Sequence, residues 1–274
     1  MPNHRRRVTI GRVARRLGNA SLFEQTFMQD VVRAASPQLR VTRYSRTWRL
    51  SRPQLRGQSL LEGKLGFERL AAQDVTTYDE ALEDFVTQLT PSEQGSFSHY
   101  VLDLERQYMA FEERPPAIRR QSFVGAFNAL LNQSDNNLEL SLVADEQSFA
   151  QWVESVERLQ SFRAWLLLPN PIWKPEVQAI RGIMESTNAK EGEVSVLAHG
   201  EGPGLDANAP LIDGTVAYSV DGNARFSAVG EVGGLRRQYS SDRHALDGSV
   251  VESKEDSSEV IWGRLLGVLR DLLP

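Results

Sequence analysis

Hydrophobic and polar positions alternate with the period of a strand in some segments of the chain and with that of a helix in others. Val8 and Ile10 stand two apart, as on one face of a strand, whereas Phe27 and Val31 stand four apart, as on one face of a helix. The elements predicted for this segment are a strand at 5–17, a helix at 21–35, a strand at 40–52 and a strand at 58–68. Residues 1–70 are therefore predicted to form a small β-α-β-β unit.

The segment that follows, residues 71–96, is polar and is predicted to be a linker with a short helix near 78–89. Beyond it, strand-like and helix-like stretches alternate, which is typical of an α/β sandwich. The elements predicted next are strands at 98–104 and 107–112, a helix at 118–132, a strand at 137–143, a helix at 146–159 and a strand at 161–168.

The last hundred residues are predicted to continue the alternation. Residues 208–220 fit either a helix or the first arm of a hairpin, and we prefer the helix. The other predicted elements are a helix at 175–187, strands at 192–198, 223–229, 234–240 and 248–252, and a helix at 257–272. The predicted fold class is thus α/β (α+β), with a basic unit at 1–70 and an acidic α/β domain at 97–274. Two subunits, at 97–170 and 171–274, are an alternative within that domain.

Composition narrows the class of protein. The chain has 274 residues, and no stretch of it approaches the roughly 18 apolar residues that a membrane helix needs. No apolar segment follows the N-terminal arginines, so a secretory signal is not expected. The absence of cysteine excludes disulfides, thiolate zinc sites and cysteine nucleophiles. We therefore expect a cytoplasmic protein.

The formal net charge of −5 conceals a strong asymmetry along the chain. Residues 1–60 contain thirteen arginines, no lysine and only Glu24 and Asp30 as acids, whereas the other 214 residues hold 18 basic and 34 acidic side chains. Such an asymmetry favours binding of nucleic acid or another polyanion by the basic part. The acidic part is then expected to serve self-association, partner binding or regulation.

The densest basic stretch is RVTRYSRTWRLSRPQLR at 40–56, with six arginines, two aromatic residues and no acid. Read as one strand, it places Tyr44, Arg46 and Trp48 on the same face. Arginine binds phosphate in bidentate geometry, and aromatic rings stack on exposed bases. In the alternative interpretation both rings are buried and the arginines form a solvated edge. The predicted nucleic-acid-binding residues are Arg5, Arg6, Arg7, Arg12, Arg15, Arg16, Arg40, Arg43, Tyr44, Arg46, Trp48, Arg49, Arg52 and Arg56.

No catalytic residue, metal site or cofactor is predicted. The four histidines are scattered without the spacing of a metal site, and His199–Gly204 is an ordinary glycine-rich loop without the lysine of a phosphate-binding loop. Carboxylates that leave a metal-dependent nuclease open as an alternative are the pair Asp103 and Glu105 and the fragments Glu62-Gly-Lys64 and Glu252-Ser-Lys254. A third alternative is an adaptor whose arginines bind an acidic protein partner.

The order of elements, together with the strand pair SHYVLDLERQYMAFEER, resembles the RexA-type phage-exclusion proteins of temperate phages. The nearest similarity in residues lies at Phe97–Phe111, where a strand, a short acidic turn and a second strand ending in an apolar-aromatic pair follow each other. The resemblance spans most of the chain as a pattern of elements and transfers no functional residue. It implies a DNA-binding, self-associating protein that acts in defence with a membrane-protein partner encoded nearby.

The function predicted from the sequence is thus non-enzymatic, largely sequence-independent DNA binding in a phage-exclusion or other defence system. RNA remains an alternative polyanion, and a homodimer is expected because two-fold symmetry doubles a basic face. No small-molecule substrate is evident in the sequence.

Overall fold

The chain is represented by a computed structural model. It describes residues 4–15, 24–35, 37–68, 70–79, 84–93, 95–134, 138–167, 182, 184, 186, 187, 189, 191–200, 202–253 and 255–273. The α-helices in these residues are α1 (Glu24–Ala34), α2 (Arg120–Leu131), α3 (Glu146–Glu154), α4 (Pro210–Val220) and α5 (Ser258–Leu272). None of the helices in this part of the chain has the length and apolarity needed to cross a membrane.

Strands make up most of the remaining regular structure. Those of the first half are β1 (His4–Arg15), β2 (Arg40–Arg43), β3 (Arg46–Leu50), β4 (Gln54–Arg56), β5 (Leu60–Glu68), β6 (Leu70–Asp79), β7 (Asp84–Glu93), β8 (Ser96–Asp103) and β9 (Tyr108–Glu112). Those of the second half are β10 (Leu138–Leu142), β11 (Arg158–Leu167), β12 (Glu191–Leu197), β13 (Ala224–Val232), β14 (Leu235–Ser240) and β15 (Asp247–Glu252). The chain has an α+β fold, as the sequence predicted.

The strands form two antiparallel sheets and a hairpin within the described residues. The larger sheet runs β10-β1-β9-β8-β5-β3-β2, with β15 also paired to β1 and β4 also paired to β5. The smaller sheet runs β12-β11-β13-β14, and β6 pairs only with β7. The large sheet therefore joins strands from the first sixty residues to strands near the C-terminus.

Strand β1 is the element that makes this connection. It pairs with β9 on one side, and on the other side its first half pairs with β15 and its second half with β10. The basic N-terminal segment thus forms no sheet of its own, and the large sheet crosses the predicted linker at 71–96. In this position the apolar side chains of β1 are buried on both faces of the sheet: Val8 and Ile10 pack with α5, and Val13 belongs to the core that α1 and α2 cover.

Helices cover both faces of the large sheet. On one face α1 and α2 pack over a core that includes Trp48, Phe111 and Phe123. On the other face α5 packs through Ile261, Trp262, Leu265 and Leu269 against Val8, Ile10, Val101, Ala110 and Val250. The small sheet has its own core with α3 and α4. Helices α2 and α5 each bury an apolar stripe, as a 3.6-residue periodicity requires.

Most elements predicted in the second half are confirmed. The strands predicted at 98–104 and 107–112 are β8 and β9, and the helices predicted at 118–132 and 257–272 are α2 and α5. The segment 208–220 contains the preferred helix, α4. Most of the helix predicted at 175–187 lies outside the described residues.

The short helix predicted near 78–89 is wrong. The chain there forms β6 and β7, which pair from Leu70 opposite Glu93 to Asp79 opposite Asp84. Threonine, valine and aromatic residues are frequent in both arms, and these residues favour extended backbone. The helical spacing of the apolar positions was a weaker signal than this strand propensity.

Buried ion pairs connect the large sheet to the C-terminal elements. The Glu112 carboxylate accepts hydrogen bonds from His99 Nδ1 at 2.7 Å and from Arg114 Nε at 2.8 Å. Arg114 also donates to Glu252 on β15, which accepts a further bond from Arg6. Burial would raise the pKa of Glu112, but the hydrogen bonds from His99 and Arg114 outweigh it and hold that pKa below its usual range.

This cluster predicts a specific dependence of stability on pH. Because the pKa of Glu112 is lower in the folded chain, the carboxylate stabilises the fold above its unfolded pKa of about 4.3, and the effect is lost as the pH falls through the folded value. Glu112→Gln should lower the free energy of unfolding by about 3 kcal/mol at neutral pH. Urea unfolding of both proteins from neutral to acidic pH should show the difference shrinking below about pH 4.

The control for this prediction is Glu105→Gln, which changes an exposed turn carboxylate of the same charge. Its effect should stay within about 0.5 kcal/mol at every pH. A difference between wild type and Glu112→Gln that does not change with pH would contradict the role given to the ionised carboxylate.

Candidate nucleic-acid interface

The basic stretch at 40–56 forms a hairpin and a short third strand, where a single strand was predicted. Strands β2 and β3 are joined through Tyr44 and Ser45, whose φ angles of 55° and 57° are in the left-handed region. This tight turn reverses the chain in the middle of the predicted strand. Tyr44 and Trp48 therefore do not share the face of one strand, and that part of the prediction is wrong.

The pairing of β2 with β3 sorts the side chains of the hairpin onto two faces. Val41 lies opposite Trp48 and Arg43 opposite Arg46, on the face that α1 and α2 cover. Arg40 lies opposite Arg49 on the other face, and both side chains are exposed. Two arginines are thus held side by side across a strand pair, which is unfavourable unless anions neutralise them.

Trp48 belongs to the core. It has no solvent exposure, its ring centroid lies 5.0 Å from that of Phe67, and its Nε1–H donates to the carbonyl of Arg43 at 3.0 Å. A fully buried indole presents no face on which a base can stack. The role predicted for Trp48 in stacking is therefore wrong, and the alternative interpretation holds for this residue.

Tyr44 is directed towards helix α2 from the hairpin turn. A β-carbon at Gly125 would lie 2.5 Å from the Tyr44 hydroxyl oxygen, so the missing side chain of this glycine makes room for the tyrosine. The Tyr44 side chain is still 56% exposed. It lies on the side of the sheet that α1 and α2 cover, whereas Arg40 and Arg49 are on the opposite side.

Several predicted phosphate contacts are instead ion pairs or hydrogen bonds within the protein. Arg6 pairs with Glu252, Arg7 with Asp247, Arg15 with Asp30 and Arg56 with Glu62. Arg12 is 3% exposed and donates to the carbonyl of Asp221, and Arg46 donates to the carbonyl of Ala117 and lies over the ring of Phe67. Burial and pairing remove Arg12 and Arg46 from the surface available to a ligand.

The remaining predicted arginines are exposed or lie outside the described residues. Arg5 donates to the hydroxyl of Ser249. The exposed arginines whose side chains pair with none of the described residues are Arg40, Arg43, Arg49 and Arg52. Arg16 lies outside the described residues.

The exposed arginines do not form one continuous surface. Arg5 and Arg7 stand on β1, and Arg49 stands on β3, four positions away in the strand order. With neighbouring strands about 4.8 Å apart, the two groups are separated by about 19 Å across the sheet. They also lie on opposite faces, because Arg5 and Arg7 share the face of Thr9, which faces away from α5.

The face carrying Arg40 and Arg49 continues onto β5 and β8, where it gains residues that the prediction missed. Lys64 and Gly66 on β5 lie opposite His99 and Phe97 on β8, respectively. Phe97 is 42% exposed, and the Lys64 ammonium lies 4.9 Å from the centroid of its ring. We call the surface of Arg40, Arg49, Lys64 and Phe97 the open face.

The buried cluster beneath Phe97 fixes the position of its ring. His99 meets the ring edge-on at 5.2 Å, and the Arg114 guanidinium lies 5.3 Å from the ring centroid. Both His99 and Arg114 are in turn held by Glu112. The exposed aromatic ring is thus held in a fixed position beside a lysine and an arginine, so an aromatic group and cations that could contact a base and its phosphates are presented together.

The open face has a net positive charge. Its own cations are Arg40, Arg49 and Lys64, and one exposed acid, Glu68, lies opposite Thr47 on the same side of the sheet. Arg52, two residues after the end of β3, is also exposed. The Gly66 backbone at the centre of the face leaves the sheet surface flat beside the Phe97 ring.

The carboxylates on which the alternative of a metal-dependent nuclease depends do not come together at one site in the described residues. One Asp103 oxygen accepts the backbone N–H groups of Glu105 and Arg106 and so stabilises the turn between β8 and β9. Glu62 is 4% exposed and pairs with Arg56. Among the described residues no three histidine, aspartate or glutamate side chains group in a way that could hold a metal ion.

Sequence reasoning reached the basic hairpin but missed Phe97, which no pattern in the sequence distinguishes from a core residue. Lys64 was noticed only as part of a Glu-x-Lys fragment.

Comparison with known proteins adds nothing to this geometry, since no family model matches the chain and no curated protein matches it.

Proposed function

We propose that the protein binds nucleic acid, with little dependence on sequence, through the open face of its large sheet. The observation that carries the proposal is the juxtaposition of Arg40 and Arg49 across β2 and β3 beside the exposed Phe97 ring. Phosphates would neutralise the two guanidinium groups, and the ring would stack on an exposed base. The role is one of binding, with no catalytic step.

The chemistry of the open face supports contacts to the backbone rather than to base edges. Arginine and lysine neutralise phosphates and release condensed counterions, and this contribution to affinity is the same for every sequence. Reading of base edges in duplex DNA uses a helix or a ribbon inserted into the major groove. The cations of the open face instead rise from the surface of a sheet.

We further propose that this binding serves a phage-exclusion or other defence system in the cytoplasm. The support for this step is the resemblance in the order of elements to RexA-type proteins. In that setting the chain acts as a homodimer with a membrane-protein partner, and DNA is the polyanion it binds. The more acidic remainder of the chain, including the small sheet, then serves contacts with these partners.

One prediction of the proposed function concerns the cations of the open face. Replacing Arg40, Arg49 and Lys64 together by alanine should weaken binding to duplex DNA at least about tenfold at low salt, because three phosphate contacts are lost. The slope of the logarithm of the binding constant against that of the salt concentration should fall by about three. Titration of labelled duplex at several salt concentrations measures both quantities.

The matched control removes the same charge elsewhere. Arg236, Arg237 and Arg270 are exposed and lie off the open face, on β14 and α5. Their triple alanine variant should bind DNA with nearly the wild-type affinity and slope. Equal losses in the two triple variants would mean that net charge alone drives binding and would contradict the assignment to the open face.

Another prediction distinguishes the binding role proposed for Phe97 from the structural role of Trp48. Phe97→Ala should weaken binding to single-stranded DNA or RNA by about 1–3 kcal/mol, the cost of losing one stacked base, with a smaller effect on duplex. Trp48→Ala should instead lower the free energy of unfolding by about 3–5 kcal/mol, because it opens a cavity in the core. Fluorescence anisotropy and urea unfolding measure the two effects.

Leu235→Ala is the control for loss of an exposed apolar side chain, since Leu235 is 69% exposed at the start of β14. It should change neither affinity nor stability. A Phe97→Ala protein that binds single strands as tightly as wild type would remove the stacking role from the proposal. If Phe97→Ala lost binding to an acidic protein partner while its affinity for nucleic acid stayed at the wild-type value, the adaptor alternative would be favoured.

A further inference from the structure

Ser258 is the first residue of helix α5, and its hydroxyl lies against the buried histidine of strand β8. The Ser258 Oγ atom is 3.2 Å from His99 Nε2, and His99 Nδ1 is 2.7 Å from the Glu112 carboxylate. A hydroxyl, an imidazole and a carboxylate are thus connected by two consecutive hydrogen bonds. The three residues are far apart in sequence, and the packing of α5 on β8 and β9 brings them together.

The Glu112 carboxylate determines which nitrogen of His99 carries the proton. The pKa of Glu112 lies below its usual range, so at neutral pH the carboxylate is ionised and only accepts hydrogen bonds. It accepts the backbone N–H of His99 at 2.9 Å as well as the ring Nδ1–H, which holds the ring in one orientation. In the neutral ring Nε2 is then the acceptor, and the group that it faces is the Ser258 hydroxyl.

The other groups around His99 are held by packing and pairing. Arg114 donates to the same Glu112 oxygen at 2.8 Å, and Lys64 stands opposite His99 on β5. Trp262 on α5 meets the histidine ring edge-on at 5.9 Å. Because His99 is only 2% exposed, its Nε2 is reached from solvent by way of the Ser258 hydroxyl. A serine whose proton an oriented imidazole can accept is an activated nucleophile.

The start of α5 adds donors for a developing negative charge. The first backbone N–H groups of a helix have no carbonyl partner within the helix. The Ser257 hydroxyl accepts the N–H of Val260, and the Ser257 carbonyl accepts the N–H of Ile261. Within the described residues the N–H groups of Ser258 and Glu259 have no acceptor. These two donors and the positive end of the helix dipole are adjacent to the nucleophile, where they can stabilise an oxyanion.

We infer that Ser258, His99 and Glu112 form a catalytic triad that hydrolyses carboxylic esters through an acyl-serine intermediate. Ser258 is the nucleophile and His99 the general base, and both touch the reacting atoms. Glu112 is a positioning residue that acts through His99. Ser258 is partly exposed whereas the other two residues are buried, so the substrate approaches the hydroxyl from solvent.

The reaction has two halves and consumes one water. In the first half His99 Nε2 takes the hydroxyl proton as Ser258 Oγ attacks the ester carbon, the bond from that carbon to the alcohol oxygen breaks, and the alcohol leaves with the proton from Nε2. In the second half water gives a proton to Nε2 and attacks the acyl carbon, the bond to Oγ breaks, and Oγ recovers the proton. The products are a carboxylic acid and an alcohol.

One experiment combines ester hydrolysis with covalent labelling of the full chain. The ester is para-nitrophenyl acetate, and the label is a fluorophosphonate, whose bond from phosphorus to fluorine is exchanged for a bond to an activated serine oxygen. Peptide mapping should place the label on Ser258. Ser258→Ala should abolish labelling and lower the rate of hydrolysis at least about a hundredfold, because the nucleophile is lost.

The matched control is Ser155→Ala, which removes an exposed serine hydroxyl at the end of α3. It should leave both labelling and hydrolysis unchanged. A label on another serine, or hydrolysis that Ser258→Ala leaves intact, would overturn the inference.

A further experiment measures the pairing of Ser258 with His99 without turnover. The chain has no cysteine, so Ser258→Cys introduces a single thiol whose rate of alkylation by iodoacetamide can be followed against pH. Because a neighbouring imidazolium stabilises the thiolate, the thiol pKa should fall from about 8.5 to below about 7.5. Adding His99→Gln should raise the thiol pKa again. Arg114 and Lys64, the other cations facing the histidine, are unchanged in both variants.

Ser257→Cys is the control for the effect of the helix end, because this position is also at the start of α5 but does not contact His99. Its thiol should have the higher pKa of the two. Equal pKa values for the thiols of Ser258→Cys and Ser257→Cys would overturn the role of His99. Thermal unfolding shows whether each variant folds, and where His99→Gln does not, this comparison of single variants decides.

The inference does not depend on the function proposed above. Arg40→Ala combined with Arg49→Ala should hydrolyse the ester as wild type does, and Ser258→Ala should bind duplex DNA as wild type does. A wild-type chain that takes up no label at Ser258 would overturn the triad, whether or not the chain binds DNA.

Discussion

The position of β1 as an interior strand of the large sheet, paired on both sides, is the constraint on which the rest of the structure depends. The strand carries several arginines, and it is placed between β9 on one side and β10 and β15 on the other. Charges that approach the interior of a protein are costly unless they are paired. Arg6 therefore meets Glu252 on β15, and Arg12 donates to the carbonyl of Asp221.

The same constraint explains much of the charge asymmetry between the N-terminal segment and the remainder of the chain. Acids contributed by later elements neutralise N-terminal arginines, as Glu252 does for Arg6 and Asp247 for Arg7. Opposite charges from distant segments thus meet across the folded sheet. Among the described arginines of the first sixty residues, those that this pairing leaves available to a ligand are chiefly in the β2–β3 hairpin and just after it.

Phe97 shows how the fold creates a surface that the linear charge pattern does not contain. Its strand, β8, brings it beside β5, and so Lys64 comes to lie over its ring. The cluster of Glu112, His99 and Arg114 beneath the ring is buried and connects it to β15 through Glu252. A binding surface on the outside of the sheet is therefore held in place by the ion pairs that stabilise the fold.

Local patterns in the sequence were sufficient to predict most strands and helices. A strand with one buried face shows alternating apolar and polar residues, and a helix with one buried face shows apolar residues three or four positions apart. They failed at Tyr44 and Ser45, where two residues without the usual turn signature adopt positive φ and divide the predicted strand. They also failed at 78–89, where helical spacing competed with strand propensity and lost.

The candidate site was harder to predict, since it depends on pairings between residues far apart in sequence. The arginines of β1 look the same in the sequence whether they face solvent or Glu252. The burial of Trp48 follows from its place opposite Val41 and beside Phe67, and this register is not visible before the turn at Tyr44 is known. Phe97 carries no local mark that separates an exposed ring from a buried one.

Hydrogen exchange of the backbone amides, measured with and without duplex DNA at low salt, tests the central claim most directly. The account predicts that DNA protects the amides of residues 40–50 and 96–99, which carry or flank the open face. Amides of residues 4–7 and 235–238 should exchange at unchanged rates. Protection confined to residues 4–7, with the β2–β3 hairpin unaffected, would contradict the account.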